Sequence, residues 1–391
     1  MSNSLNCIRF FVLLLTFGLL SQGCGRNEPG QVVPLKNHYA GGFEIVEGEG
    51  FTLLTVKNPW EQARNVSVDY YLVDRNLEVP ESLKGKTIIR TPVNRIVCMS
   101  TTHLAYLDKL GQLDKISGIS GSQYVSHPAV RKRIGLGEIR DVGYGQNINY
   151  EEIIRQKPDL VMMYGVDSEI TGIIQKFQDL GIPAILNAEY LEPSPLGKAE
   201  WIRFIGAFFD QKAQADSIFQ DIETRYRQLA GKAAGANPKP SVMVGLPYRD
   251  AWWVPGGESY LAHLIKDAGG NYLGMENKSH ESYVVSFEEA LLWASRADVW
   301  INTGTAFHRE DILAADPRFG NFGVFQKGRI YNNNRRTSPE GGNDFWESGT
   351  LAPEVILSDL IRVFHPGLIG GDTLFYYREV GHNKNLENGM E

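Results

Sequence analysis

The chain has 391 residues, a formal net charge of -7, 42% hydrophobic residues and 11% aromatics. Its acidic balance argues against nucleic acid as a partner, and its length is enough for two domains with a substantial core.

The first residues read as a processing signal. Arg9 is followed by an apolar run from Phe10 to Leu20, about a dozen residues, which is too short to span a bilayer. Ser21-Gln22-Gly23 then places small residues before Cys24, an arrangement that resembles a bacterial lipobox. The expectation is a signal peptide over 1–23 and acylation of Cys24. An ordinary cleaved signal or a short N-terminal anchor is the alternative. Of the three cysteines, Cys7 lies in the signal and Cys24 would carry lipid. Cys98 is left without an intrachain partner and reads as a small core residue.

Residues 24–37 are rich in Gly, Pro, Asn and Gln and read as a lipid-anchored tether. Residues 38–91 alternate in the manner of strands, as in Phe51-Thr52-Leu53-Leu54-Thr55-Val56 and Val66-Ser67-Val68-Asp69-Tyr70-Tyr71-Leu72-Val73, and predict a small N-terminal β extension. From 92 to 197 strands alternate with helices, the pattern of a parallel α/β lobe. A charged stretch without proline from Lys198 to Lys232 predicts one long connector helix within 198–237. A second α/β lobe follows over 238–368, then a tail over 369–391.

The two lobes share an internal repeat. Asn149-Tyr150-Glu151-Glu152-Ile153-Ile154 leads to Pro158-Asp159-Leu160-Val161, and Ser286-Phe287-Glu288-Glu289-Ala290-Leu291 leads to Ala297-Asp298-Val299-Trp300. Each copy predicts a polar cap, an acidic first turn and entry into a buried strand through Asp. Two such lobes on one connector imply a cleft between them.

Enzyme signatures are missing from the sequence: no G-x-G-x-x-G after a strand, no phosphate loop, no H-E-x-x-H and no G-x-S-x-G. What gathers instead at the C-terminal ends of the predicted strands, where α/β lobes bind ligands, is aromatic and cationic. Tyr124, Tyr144, Tyr164 and Tyr190 follow strands of the first lobe. Arg249, Trp252, Trp253, Arg335, Arg336 and Trp346 follow strands of the second. Aromatic faces bury flat apolar rings and arginine pairs carboxylates, so the set suits a large, partly anionic ligand. Core or surface filling is the alternative for each aromatic taken singly. Adjacent strand residues Trp252 and Trp253 must point to opposite faces.

In its repeat, connector and signal the chain resembles the class III periplasmic binding proteins of ABC importers, which serve ferric siderophores, haem and cobalamin. The marks are Arg95-Ile96-Val97 with Ser100-Thr101-Thr102, Leu110-Gly111, Asn149-Tyr150-Glu151 with Lys157-Pro158-Asp159-Leu160-Val161, and Gly256-Gly257-Glu258-Ser259 with Ala268-Gly269-Gly270-Asn271. The resemblance covers roughly Pro92 to Leu368. It implies an α/β fold of two Rossmann-like lobes joined by one connector helix and no catalytic role. It also implies no permanently bound cofactor, the transported ligand being an iron or cobalt chelate. Expected partners are the transmembrane subunits of an ABC permease, docked on Glu151 and Glu288, with the monomeric body held extracytoplasmically in the cell envelope by its lipid. The aromatics at Tyr124, Tyr144, Tyr164, Trp253 and Trp346 resemble those of cobalamin-binding members, whereas Arg249, Arg335 and Arg336 fit an anionic siderophore or haem. His103 stands where many relatives have glutamate and is a candidate axial metal ligand, with helix filler as the alternative. A surface enzyme on a similar scaffold, or an adhesion lipoprotein working through the β extension, are the competing readings.

Overall fold

The computed structural model describes residues 33–145, 147–247 and 251–383. The expected signal peptide and Cys24 lie outside them.

The chain begins with a five-stranded sheet in sequential order: β1 (Val33–Leu35), β2 (Phe43–Gly48), β3 (Phe51–Lys57), β4 (Ser67–Asp74) and β5 (Ile88–Thr91). Neighbours are antiparallel except β4 and β5, which run parallel. The alternation along β3 works as expected, with Thr52, Leu54 and Val56 turned inward. The sheet starts earlier than the sequence suggested. Val33–Leu35 pairs with β2, so the end of the expected tether belongs to the folded body.

The N-terminal lobe is a parallel sheet of order β10-β9-β6-β7-β8, built from β6 (Ile96–Cys98), β7 (Ile116–Ile119), β8 (Arg140–Asp141), β9 (Leu160–Met163) and β10 (Ala184–Leu186). Every residue of β6, β7, β9 and β10 is buried, as expected of parallel strands covered by helices on both faces. Those helices are α1 (His103–Lys109), α2 (Pro128–Gly135), α3 (Tyr150–Gln156) and α4 (Ile170–Asp179). Strand order reverses between β6 and β9, and a crevice opens at such a switch point.

The link between the lobes corrects one expectation. Lys198 to Lys232 is not a single helix but lies within α5 (Pro195–Glu200), α6 (Ile202–Ala207) and α7 (Lys212–Ala234). Trp201, Ile202, Phe204, Ile205 and Phe208 are all buried, so α5 and α6 are core pieces and not a solvated rod. Asp210 then adopts a left-handed φ of 55° and the chain turns. The turn brings Gly206 against Ala215, whose Cβ lies 2.7 Å from where a side chain on Gly206 would begin. The connector proper is α7.

The C-terminal lobe has a sheet of order β13-β11-β15-β16-β17, comprising β11 (Ser241–Val244), β13 (Asn271–Tyr272), β15 (Val299–Ile301), β16 (Arg329–Asn332) and β17 (Arg378–Glu379), and only β17 runs antiparallel. A separate antiparallel pair joins β12 (Trp252–Pro255) to β14 (Ser282–Val285). The helices are α8 (Tyr260–Asp267), α9 (Phe287–Arg296), α10 (Arg309–Ala315), α11 (Gly323–Lys327) and α12 (Pro353–Phe364). The expected tail is also partly structural. Asp359 accepts the backbone N–H groups of Phe375, Tyr376 and Tyr377 at 2.8, 2.6 and 3.1 Å, which delivers β17 to the sheet edge.

The internal repeat is visible as equivalent bonds. The Asn149 side chain accepts from Glu152 N–H at 3.0 Å and the Ser286 hydroxyl from Glu289 N–H at 3.1 Å. Asp159 accepts from Asn94 N–H at 2.8 Å, and Asp298 from Ser241 N–H, also at 2.8 Å. In each lobe the repeated Asp pins the neighbouring strand at its start.

The β extension is continuous with the body. Phe43, Ile45, Leu54, Val56, Tyr70, Leu72 and Ile89 share one buried cluster with Ile96, Cys98 and Leu107 of the lobe and with Trp201, Phe204 and Phe208. Two buried carboxylates fasten its entry. Glu200 accepts from the N–H groups of His38, Tyr39 and Ala40 at 2.9, 2.8 and 2.8 Å. Glu192 accepts from Gly42 N–H at 2.8 Å and Trp201 Nε1 at 2.9 Å. Helix α7 completes the assembly. Its first half meets the extension through Lys212–Glu47 at 2.5 Å and Tyr39–Glu223 at 2.6 Å. Its second half meets the C-terminal lobe through Tyr226–Asp267 at 2.7 Å and Arg225–Glu354 at 3.1 Å.

Candidate functional site

The strand ends of the N-terminal lobe assemble a row of four tyrosines. Tyr124 lies in the turn after β7, Tyr144 after β8, Tyr164 directly after β9 and Tyr190 after β10. Tyr124 and Tyr144 meet edge to face with ring centres 6.3 Å apart. Tyr164 and Tyr190 do the same at 6.5 Å and 81°. Tyr144 also lies close enough to Tyr164 to influence its phenol, so the two pairs adjoin. The sequence placed these residues at strand ends separately, and the fold makes them one surface.

Local chemistry fixes each ring. Gly121 has φ of 67°, and its missing side chain leaves room for both Tyr124 and Tyr144, whose ring atoms lie 3.2 and 3.5 Å from where a Cβ would sit. The Tyr190 hydroxyl donates to the Gly165 carbonyl at 2.5 Å. Burial, then the neighbouring Tyr144, holds the Tyr164 phenol above its usual range. Burial likewise raises the Tyr190 phenol, so Tyr164 and Tyr190 stay neutral at neutral pH.

The residues expected from the C-terminal lobe separate into distinct groups. Trp252 and Trp253 do point to opposite faces, with 3% and 56% exposure. Trp252 is a correction: it stacks on Trp300 at 6.2 Å, meets Phe319 edge-on at 5.7 Å and belongs to the outer core, so it is not available to a ligand. Trp253 and Trp346 are exposed, the latter set edge-to-face on buried Phe345 at 4.7 Å. Arg335 is exposed. Arg336 is already engaged, 2.5 Å from Asp344 and over the Phe375 ring at 4.4 Å. Arg249 lies outside the described residues.

His103 is a second correction. It opens α1 with no exposed surface, and burial pushes its basicity down to about 3. It is neutral and does not reach the cleft as an axial ligand. Neither ring nitrogen has a hydrogen-bond partner among the described residues. Beside it lie polar groups that the sequence reading missed. Glu189 is buried near Thr102 and Lys198, and burial pushes its carboxyl above the usual carboxylate range. Burial pushes Lys198 below the usual ammonium range, and its Nζ lies 5.3 Å from the Tyr260 ring of the other lobe. Among the described residues, neither polar side-chain atom of buried Asn187 has a hydrogen-bond partner. An acid beside Tyr190 at a strand end was the available signal, but a carboxylate in a loop ordinarily reads as a solvated charge.

Glu151 and Glu288 are each the second residue of their helix, α3 and α9, and both are exposed. One turn later each helix carries an exposed aliphatic at the repeat-equivalent position, Ile154 and Leu291. No described helix is long and apolar enough to cross a membrane.

Two parallel-sheet lobes on a connector, with strand ends converging on an aromatic surface, define a bilobed binding protein. The comparisons with known proteins name the family. Residues 96–335 match the model of the periplasmic binding protein family, and the chain belongs to that family. An uncharacterized lipoprotein of Methanocaldococcus jannaschii is 26% identical over 334 residues, which cover 82% of this chain and 77% of that protein. Among solved structures, a periplasmic heme binding protein from Pseudomonas aeruginosa superposes with a TM-score of 0.56 at 16% identity, covering 74% of this chain and 98% of its own. A possible iron-binding, periplasmic solute-binding protein from Staphylococcus epidermidis gives 0.56 at 17%, covering 70% and 100%. The alignments with these two structures establish the fold.

Proposed function

We propose that the protein is the extracytoplasmic substrate-binding component of an ABC importer. It takes a metal chelate, a ferric siderophore or cobalamin with haem as the further option, into the interlobe cleft and delivers it to a membrane permease. The observation that carries this reading is the tyrosine row of Tyr124, Tyr144, Tyr164 and Tyr190, a preassembled aromatic wall with neutral hydroxyls. Such a wall buries the flat or convex apolar face of a large chelate while donating hydrogen bonds. Exposed Trp253, Trp346 and Arg335 supply ring faces and a cation from the other lobe.

In the same reading Glu151 and Glu288 meet arginines of the permease, one on each lobe, with Ile154 and Leu291 as apolar neighbours. Cys24, lipidated, keeps the body beside the membrane, and its relative from Methanocaldococcus jannaschii bears the name lipoprotein. The protein binds and releases without turnover. A role for the β extension as an independent adhesin is disfavoured by its shared core, since deleting residues 38–90 would strip part of the lobe's interior. Titrating tryptophan fluorescence with cyanocobalamin, a panel of ferric siderophores and haemin tests the function. Saturable quenching by one class supports it, and no response to any of them refutes it.

A further inference from the structure

One contact between the lobes is made by a loop of the C-terminal lobe. Residues 335–347 leave the end of β16 carrying Arg335, Arg336 and Trp346, and finish at Glu347. Glu347 is 3% exposed, and its carboxylate is turned toward the opposite lobe. One oxygen accepts from the N–H of Ser126 and the other from the N–H of His127, each at 2.7 Å. These two residues directly follow the Tyr124 turn and precede α2. The same loop touches that turn a second time, because a Cβ on Gly342 would lie 2.1 Å from the Tyr124 carbonyl oxygen. Arg131 and Glu340 close the rim at 3.7 Å.

We propose that Glu347 is an interlobe tie, a positioning residue that sets the separation of the cleft walls by holding the Tyr124 turn of one lobe against the Trp346 loop of the other. A buried carboxylate that satisfies two backbone donors gives a stiff contact, because breaking it leaves three polar groups to rehydrate together. The tie acts on the walls of the binding site proposed above, but its geometry exists without ligand.

Charged groups on three elements surround Glu347. Asp344 lies on its own loop, held by Arg336. His127 and Arg131 face it from the start of α2, with Asp108 of α1 behind His127 at 3.3 Å and Glu340 beside Arg131. Burial, then Asp344, raises the Glu347 carboxyl above its usual range, and the two amides and Arg131 oppose that rise by favouring the carboxylate.

Hydrogen exchange at the Ser126 and His127 amides, read by mass spectrometry on the whole ligand-free protein, tests this. Glu347→Gln keeps the volume but turns one acceptor into a donor facing an N–H. Exchange at these two amides is expected to rise about tenfold, the scale of a lost charge-assisted hydrogen bond, while the rest of the lobe is unchanged. Unchanged exchange in the variant, or acceleration spread over the whole N-terminal lobe, would each overturn the tie. No chelate is present in this measurement, so failure of the fluorescence panel and failure of the tie are separate results.

Discussion

The two faces proposed to line the cleft are built on different terms. The N-terminal face is close-set: four tyrosines from four different strand ends pair as Tyr124–Tyr144 and Tyr164–Tyr190, and the two pairs adjoin. The C-terminal face is sparse. Trp252 has gone into the core, Arg336 is held by Asp344, and Trp253, Trp346 and Arg335 stand singly at the surface. A preassembled wall loses little rotamer freedom on binding, whereas exposed single side chains must be ordered by the ligand. In the proposed function, shape selection rests with the tyrosines and adaptation to the particular ligand with the opposite lobe.

The largest effect that would sharpen this contrast is on the tryptophan pair. Trp252→Ala is expected to cost about 3–5 kcal/mol of stability through the cavity it leaves between Trp300 and Phe319, measured by denaturant unfolding. Trp253→Ala should leave stability within about 0.5 kcal/mol of wild type and weaken only the binding of whichever chelate quenches fluorescence. Comparable destabilisation by both would break the assignment of one to the core and the other to the cleft.

Next in size is the tyrosine row. Tyr144→Ala and Tyr164→Ala should each weaken chelate binding about tenfold, roughly 1.4 kcal/mol. The double variant should show a coupling of about 0.5–1.5 kcal/mol, because the two side chains adjoin. Strict additivity in calorimetric titration would mean that the wall is not a unit. On the other side, Arg335→Ala should lower affinity for anionic chelates more than for neutral ones, and equal losses would remove its role in charge recognition.

The smallest effect on the folded protein is expected at the docking positions. Glu151→Ala with Glu288→Ala should cost no more than about 1 kcal/mol per helix terminus and leave affinity unchanged, while uptake by cells is lost. A fall in affinity would move these carboxylates from docking to the cleft.

Much of this arrangement was legible in the chain. Caps and acidic first turns at Asn149 and Ser286 are local signals, and they formed as read. Continuous apolar runs such as Leu160-Val161-Met162-Met163 are buried on both faces, the mark of parallel strands. The connector was harder. Charge density along Lys198 to Lys232 resembled one helix, but Trp201, Phe204 and Phe208 fill the core around the extension, and that destination depends on partners far away in sequence. The extension was recognised as β structure for the same local reason as β3. Its union with the lobe was not, because Glu192 and Glu200 reach back some 150–160 residues to backbone groups that carry no side-chain signature.

By itself the sequence determined the element types, the two-lobed repeat, the exposed glutamates and the set of tyrosines, because periodicity, capping and strand-end placement are short-range physics. Only the tertiary structure decided which aromatics are surface and which are core, that the four tyrosines adjoin, and that Glu347 crosses between lobes. Those outcomes depend on which distant groups compete for the same buried space and the same backbone donors, and no local pattern records that competition.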